Sequence, residues 1–263
     1  MKLLTIADLH LDLHFKQEMD PFANVPNSQL ESITHCVLAG DLSNKGHKQW
    51  KRCLPWLAER LVGAQIFVMP GNHDYYDGTI DGEEKLCAAA TECGAAFIQK
   101  SELFYGCQRF LCCTLWTDFE IYDDRTYDVG LAARHMNDYH YIKVAEAGYR
   151  RLSPVQTAHI HAEHRDWLNK RLSEPFDGET TVITHHAPHM KALKKKPKMG
   201  ASYASNLETL ITKHKPARWL FRHTHHPVSF DVGRTKLTNV SVGYPGQLHP
   251  IDSLDRFVLD LEE

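Results

Sequence analysis

The chain has 263 residues, of which 43% are hydrophobic and 24% are charged, and its formal net charge is −3 at pH 7. This is an ordinary globular composition, long enough for one large domain with a sizeable core, and it argues against a disordered chain. The slightly acidic balance predicts no general attraction to nucleic acid or to anionic membranes, so an anionic substrate has to be drawn in by a local site.

The cysteine pattern and the N-terminus indicate a cytoplasmic protein. The seven cysteines form no CxxC pair, and Cys36, Cys112 and Cys113 lie within apolar runs, which predicts reduced thiols that pack as small hydrophobes. No apolar run approaches the roughly 20 residues that span a bilayer. Asp8 interrupts the first apolar run too early for a signal peptide. We therefore expect a cytoplasmic location and no membrane partner.

Three short apolar runs open the chain, and each ends in polar side chains: residues 3–7, 36–39 and 66–69. Their length and their content of β-formers predict buried strands. Residues 49–62, between the second and third runs, carry apolar side chains at three- and four-residue spacing, which predicts a helix that Pro55 bends or shortens. Strand, helix and strand form the crossover unit of a parallel sheet.

The middle of the chain is less regular. A helix is predicted over residues 83–93 and a strand over residues 109–116. Residues 117–150 are polar and aromatic without clear periodicity, and we interpret them as an excursion over one rim of the sheet, near the active site. Insertions of this kind often carry function. Within the excursion, residues 136–138 either shape a pocket or serve packing and turn capping.

The second half repeats the alternation of helices and strands. Ser153 and Pro154 suit the N-cap and the first position of a long helix that continues to about Leu172. The remaining predicted elements are strands over residues 180–184 and 218–221, a helix over residues 203–213, and an antiparallel finish over residues 227–232, 236–242 and 256–261. Since there is no internal repeat and no linker, a single domain over residues 1–263 is predicted.

Metal-binding side chains follow five of the predicted strands, always at the carboxyl end: Asp8 with His10, Asp41, Asn72 with His73 and Asp74, His185, and His223 with His225. In an open α/β sheet, ligands bind at this edge. One histidine at a strand end is usually a capped surface residue, and a chain with 18 histidines places some there by chance. Five such clusters in register predict a metal site.

The ligand types narrow the choice of metal. Carboxylate, amide and imidazole groups without thiolate suit manganese, iron, zinc, cobalt or nickel rather than a structural zinc. His223 and His225 lie two residues apart at the end of one strand, and we expect each of them to reach a different ion. One aspartate can bridge both ions. This is the arrangement of a two-metal site, with the ions roughly 3.5–4 Å apart and a hydroxide as the nucleophile at neutral pH.

At these positions the chain resembles the calcineurin-like metallophosphoesterases, whose pattern reads DxH, GDxx, GNHD/E, H and GHxH. The five blocks follow in that order across residues 8–225. The resemblance implies a phosphoesterase with two divalent metal ions as cofactors. It also implies an α/β fold, a four-layer α/β/β/α sandwich with two central mixed sheets flanked by helices.

The same resemblance assigns roles residue by residue. It implies a first metal site formed by Asp8, His10, Asp41 and His225, and a second formed by Asp41, Asn72, His185 and His223, with Asp41 bridging. His73 corresponds to the catalytic histidine near the leaving group. Asp74 corresponds to the residue that orients the ring of that histidine.

Arg222 departs from the family pattern, because it stands where the family has glycine before the first histidine of the last block. Where φ is positive, arginine replaces glycine at a cost on the order of 1 kcal/mol or more. Two interpretations compete. Either the side chain of Arg222 turns to solvent and is tolerated, or its charge weakens the second metal or reshapes substrate binding.

The expected substrate is a small-molecule or nucleotide phosphate ester, either a diester or a monoester. A nuclease on the same metal site is the alternative enzyme, although nucleic acid is a poor fit to a chain with net negative charge and no extended basic stripe. A regulatory binder with a metal site impaired by Arg222 is the alternative outside enzymes. The basic run at residues 194–198 predicts either a solvated loop or a rim that recruits phosphate.

Overall fold

The structure is a computed structural model that describes residues 1–247 and 251–261. Residues 248–250 and 262–263, which the predicted domain includes, lie outside the described part. The strands there are β1 (Lys2–Ile6), β2 (His35–Ala39), β3 (Gln65–Met69), β4 (Ala96–Phe97), β5 (Ser101–Tyr105), β6 (Gln108–Cys113), β7 (Lys143–Val144), β8 (Arg150–Arg151), β9 (Glu179–Thr184), β10 (Arg218–Phe221), β11 (Ser229–Val232), β12 (Thr235–Asn239) and β13 (Val258–Asp260). The α-helices are α1 (Leu11–Lys16), α2 (Asn27–Glu31), α3 (Gly46–Arg60), α4 (Glu83–Glu92), α5 (Arg125–His135), α6 (Asp138–Tyr141), α7 (Pro154–Ser173) and α8 (Glu208–His214).

Most of the strands form two mixed sheets. The first has the order β13-β1-β2-β3-β4, in which β1 to β4 run parallel and β13 pairs antiparallel with β1. The second has the order β11-β12-β10-β9-β6-β5, in which the four central strands run parallel and the two edge strands run antiparallel. β7 and β8 pair separately. Two mixed sheets flanked by helices confirm the predicted fold class.

The two sheets pack face to face through aromatic side chains. The ring centroid of Tyr105, in β5 of the second sheet, lies 4.5 Å from that of His35 in β2 and 6.5 Å from that of Phe67 in β3. On the outer faces, α3 and α4 lie beside the first sheet, and α7 and α8 beside the second. Trp50 of α3 and Leu168 of α7 are completely buried in the core. None of the described helices is both long and apolar enough to cross a membrane.

Several predicted elements have different ends in the structure. Pro55 does not stop α3, which continues to Arg60. β6 ends at Cys113 rather than near residue 116, because Leu115 and Trp116 adopt left-handed backbone conformations with φ of 73° and 57°. The closing segments form the predicted antiparallel arrangement only in part, because β11 and β12 pair antiparallel but do not continue into β13. β12 runs parallel to β10, and β13 joins the other sheet beside β1.

The helix predicted over residues 203–213 begins only at Glu208. Tertiary pairing explains the delay, because Ala187 donates its N–H to the Tyr203 carbonyl at 3.1 Å and accepts from the Ser205 N–H at 3.0 Å. Residues 203–205 are therefore held beside the loop that follows β9. Contacts with a distant segment override the local helical pattern here.

Ser153→Ala tests the start of α7. Ser153 accepts a hydrogen bond from the backbone N–H of Gln156 in a capping box, so its loss should lower the free energy of unfolding by about 1 kcal/mol. In a chain of this size that corresponds to a fall in Tm of about 2–4 °C, which calorimetry measures. Ser173→Ala, at the exposed end of the same helix, is the control. An equal fall in both variants would contradict the capping account.

Candidate active site

The carboxyl ends of the parallel strands of both sheets meet at one edge of the sandwich. Ala7, just after β1, pairs with Ser241, just after β12, so the two sheets are joined here. Val242 donates its backbone N–H to the Ala7 carbonyl at 3.0 Å, and Gly243 donates to the Asp8 carbonyl at 3.1 Å. The side chains that follow β1, β2, β3, β9 and β10 therefore converge on one place.

Two carboxylates lie among the histidines at this edge. Asp41 Oδ2 is 3.4 Å from His185 Nε2 and 4.0 Å from His10 Nε2. Asp8 Oδ1 is 3.7 Å from His225 Nε2 and 3.9 Å from His185 Nδ1. Three groups have ligand atoms within 4.8 Å of one another: Asp8, His10 and His225; Asp41, His185 and His223; and His10, Asp41 and His73. All the acidic and imidazole residues expected as ligands are thus brought together.

The donor atoms of this cluster are buried and unpaired. Asp8, His10 and Asp41 have no exposed surface. Asp8 Oδ1, Asp41 Oδ2, both ring nitrogens of His10 and Nε2 of His223 lack a hydrogen-bond partner among the described residues. Buried polar atoms in proteins are almost always paired. Unpaired carboxylate and imidazole atoms that face one another fit divalent metal ions.

The backbone at the cluster is strained. Five of the expected ligands adopt the left-handed region: Asp8 (φ 53°), His10 (φ 40°), Asp41 (φ 53°), His223 (φ 66°) and His225 (φ 45°). This conformation costs a non-glycine residue roughly 1–2 kcal/mol. A Cβ on Gly40 would collide with the His185 ring, and one on Gly71 with the Asp41 carboxylate. Strain and close approach at one place indicate a functional site.

Asn72 is oriented by residues from the excursion and from the loop after β3. Its Nδ2 donates to Asp138 Oδ1 at 2.8 Å, and Tyr76 donates its hydroxyl to the same oxygen at 2.7 Å. The amide oxygen of Asn72 is therefore turned toward His185, whose Nε2 is 3.0 Å away. Asn72 presents an oxygen, the atom that a metal ion requires.

His73 is held by Asn44, a residue that the sequence interpretation missed. His73 Nδ1 lies 2.9 Å from Asn44 Oδ1, and Asn44 in turn donates its Nδ2 to Asp12 Oδ2 at 3.0 Å. Because Asn44 Oδ1 can only accept, Nδ1 of His73 carries a proton and Nε2 faces the cleft. Tyr244 places its hydroxyl 3.4 Å from that Nε2. The position of Asn44, three residues after Asp41, was the available sequence signal.

Asp74 does not orient the ring of His73 as the resemblance implied. Its carboxylate accepts four hydrogen bonds of 2.8–3.2 Å elsewhere, from the backbone N–H groups of Asp41, Ser43 and Gly71 and from the indole of Trp50. Asp74 therefore fixes the loops after β2 and β3, and with them the position of Asp41. Its effect on His73 passes through the backbone.

A cleft of about 340 Å³ opens on the cluster. Its walls include Tyr76, Tyr203 and Tyr244, together with Met136 and Asn137 from the excursion. The excursion thus does contribute to the pocket, as one of the two interpretations proposed. The Tyr244 ring stacks on His10, with ring centroids 4.3 Å apart. The basic run at residues 194–198 is exposed and is not part of the described lining.

The prediction that Arg222 turns to solvent is wrong. Its side chain is 0% exposed, because it follows β10 into the space between the sheets. Its φ is not positive, so the arginine causes no backbone strain where the family has glycine. The left-handed conformation falls instead on His223 and His225. The charge of Arg222 is therefore buried close to the metal-ligand cluster.

The residues of the cluster shift one another's pKa values. Burial acts to raise the pKa of Asp8, but His225 and His185 outweigh burial and hold this pKa below its usual value. Burial acts to lower the pKa of His225, but the Asp8 carboxylate raises it to about 9. Burial lowers the pKa of His10 to about 3. At neutral pH, Asp8 is thus an anion and His10 a neutral imidazole, the forms in which both bind metals, whereas His225 carries a proton that a bound metal ion has to displace.

This fold and this cluster define a metal-dependent hydrolase of the two-sheet sandwich type. The family model of calcineurin-like phosphoesterases matches residues 1–257, and the chain belongs to that family. It is a metal-dependent phosphoester hydrolase. No curated protein matches the sequence.

A solved structure shares the fold at low sequence identity. The phosphopantetheinyl hydrolase of Mycobacterium tuberculosis is similar with 17% identity and a TM-score of 0.67, over 95% of this chain and 93% of that one. A Staphylococcus aureus protein described as an inferred 5'-nucleotidase is similar with 10% identity and a TM-score of 0.49, over 92% of this chain and 49% of that one.

Asn44→Ala tests the support of His73. Removing the acceptor at Nδ1 frees the ring to rotate, so kcat should fall on the order of tenfold while metal content stays unchanged. Steady-state kinetics and metal analysis of the purified variant measure both. Asn169→Ala is the matched control, since Asn169 Oδ1 holds the ring of a surface histidine, His214, at 2.8 Å. Unchanged kcat in Asn44→Ala would show that Asn44 does not position His73.

Proposed function

We propose that the chain hydrolyses small-molecule phosphate esters with two divalent metal ions that share Asp41. The observation that carries this proposal is the overlap of the three ligand groups, two of which include Asp41. When bound, the two ions supply a hydroxide nucleophile at neutral pH and neutralise charge on the phosphoryl oxygens. Asp8, His10, Asp41 and His225 would hold one ion, and Asp41, Asn72, His185 and His223 the other.

His73 is proposed to act on the leaving group. Its Nδ1 is fixed by Asn44, and its Nε2 faces the cleft beside the Tyr244 hydroxyl. A doubly protonated His73 would donate the proton at Nε2 to the departing alkoxide, a role worth typically 10²–10⁴ in rate. Since His73 also belongs to one of the ligand groups, its role as a metal ligand has to be tested separately.

The cleft supports a small substrate rather than a nucleic acid. Its volume of about 340 Å³ is within the range of small-molecule pockets. The described lining consists of tyrosine, histidine, amide, threonine and methionine side chains, with no lysine or arginine among them. Nucleic-acid sites depend on basic groups that neutralise phosphates. A nuclease on this site is therefore the weaker candidate.

The fold neighbour suggests one substrate to test. That protein is named for hydrolysis of a phosphopantetheinyl group. A phosphopantetheinyl diester therefore belongs in a panel with an aryl phosphate, a cyclic nucleotide and single-stranded DNA. The metal-depleted protein should hydrolyse none of them, and added Mn²⁺ should restore activity on a small phosphate ester. Activity on the DNA alone would overturn the substrate class.

His73→Ala separates the catalytic role from the ligand role. On an ester with a poor leaving group, kcat should fall by about 10²–10⁴, while metal content stays near that of the wild type. His159→Ala, on the exposed side of α7, is the control and should change neither quantity. A loss of bound metal in His73→Ala would make His73 a ligand. Nearly unchanged kcat on such esters would contradict the proton-transfer role.

A further inference from the structure

Arg222 is a completely buried cation without a bonded counter-ion. Its Nε, Nη1 and Nη2 have no hydrogen-bond partner among the described residues. Arg109, another buried arginine of the same sheet, is bonded normally: its Nε donates to Thr180 Oγ1 at 3.0 Å and its Nη1 to the Arg171 carbonyl at 3.2 Å. Burying an unpaired guanidinium is unfavourable, so its position behind the ligand cluster needs a physical reason.

The alternation of side chains places Arg222 on the inner face of the second sheet. Leu220, two residues earlier, pairs with Ile183, which also pairs with Cys112, so Arg222 lies on the face of Cys112. Phe110 shares that face and contacts Tyr105, which in turn packs against the first sheet. The guanidinium is therefore between the sheets, not on the surface.

The nearby anion is Asp8. The backbone N–H of His223, the next residue after Arg222, donates to Asp8 Oδ2 at 3.3 Å. An arginine side chain keeps its positive charge in proteins. The thiol of Cys112, on the same inner face, carries no charge, because burial raises its pKa to about 12. The Asp8 carboxylate, bonded to the residue that follows Arg222, is therefore the negative charge that the backbone brings next to the buried guanidinium.

A divalent ion bound by Asp8 competes with Arg222 for the same negative charge. The ion neutralises the carboxylate and repels the guanidinium at short range in a medium of low dielectric constant. Coupling between two sites is reciprocal. If the bound ion raises the free energy of the Arg222 guanidinium, the guanidinium makes the binding free energy of the ion less favourable by the same amount. The loss of metal affinity is greatest for the ion that Asp8 binds.

We propose that Arg222 is a resident counter-cation of Asp8, which weakens the metal position formed by Asp8, His10 and His225. The position formed by Asp41, His185 and His223 then fills at a lower metal concentration. The inference rests on the proposed two-metal site. It assigns the effect of Arg222 to the first metal position, whereas the sequence suggested the second.

Metal titrations of Arg222→Met test the inference. Mn²⁺ is titrated into the metal-depleted protein by calorimetry or against a chelating dye. The wild type should bind two ions in separate steps, and in Arg222→Met the weaker step should tighten on the order of tenfold or more. The tighter step should change much less. Arg222→Lys keeps the charge and should keep the separation of the steps.

Arg109→Met is the matched control, because it removes a buried arginine from the same sheet far from the cluster and should leave both steps unchanged. Circular dichroism checks the fold of each variant, and Arg222→Gln replaces Arg222→Met if the latter does not fold. If the wild type binds Mn²⁺ in two steps and both affinities are the same in Arg222→Met, the inference about Arg222 is wrong but the two-metal proposal stands. A wild type that binds no Mn²⁺, or a single ion, would instead overturn the two-metal proposal.

Discussion

The arrangement of the strand ends depends on two carboxylates, Asp8 and Asp41, that have no contact with solvent. An ionised carboxylate is costly to bury unless cations or hydrogen bonds compensate for the lost water. Each has one oxygen without a hydrogen-bond partner, and each faces histidine rings. The left-handed backbone at both residues adds to the cost. The fold bears these costs at a single place, and bound divalent cations would offset them.

The residues around the cluster fix the positions of the expected ligands, whereas the ligands themselves carry the charges that face the site. Asp74 fixes the loops that carry Asp41, and Asp138 turns the amide of Asn72 so that its oxygen faces inward. Asn44 fixes the ring of His73 on the side away from the cleft. None of these three polar groups is itself part of the ligand groups. Their hydrogen bonds hold Asp41, Asn72 and His73 in one orientation each.

The sequence predicted the parts of the site that follow strands. Short β-rich runs ending in Asp8, Asp41, Asn72 and His185 place those residues at a shared edge, because parallel strands begin and end together. The individual contacts that tertiary structure brings together could not be predicted in this way, although residues 136–138 were a candidate for the pocket. Tyr244 reaches His73 across 171 positions of the chain, and Asp138 reaches Asn72 across 66. The burial of Arg222 also could not be predicted, because it depends on which face of β10 packs against the first sheet.

The helices and strands show the same difference between local sequence signals and long-range contacts. The strands β1, β2, β3, β9 and β10 and the helix α7 were predicted nearly to their ends, because apolar runs, the Ser153 cap and Pro154 are local signals. The delayed start of α8 depends on pairing with Ala187, and the end of β6 on the left-handed conformations of Leu115 and Trp116. His164 of α7 accepts the Leu115 N–H at 3.0 Å and so supports that conformation from a distant helix. Local patterns predict elements, and long-range contacts set their ends.

We propose that Asp41 lies between two metal ions. Anomalous diffraction from crystals of the protein grown with Mn²⁺ tests it most directly. The account predicts two anomalous peaks on either side of the Asp41 carboxylate, roughly 3.5–4 Å apart. A single peak enclosed by all the ligands, or peaks that leave Asp41 without contact, would contradict it.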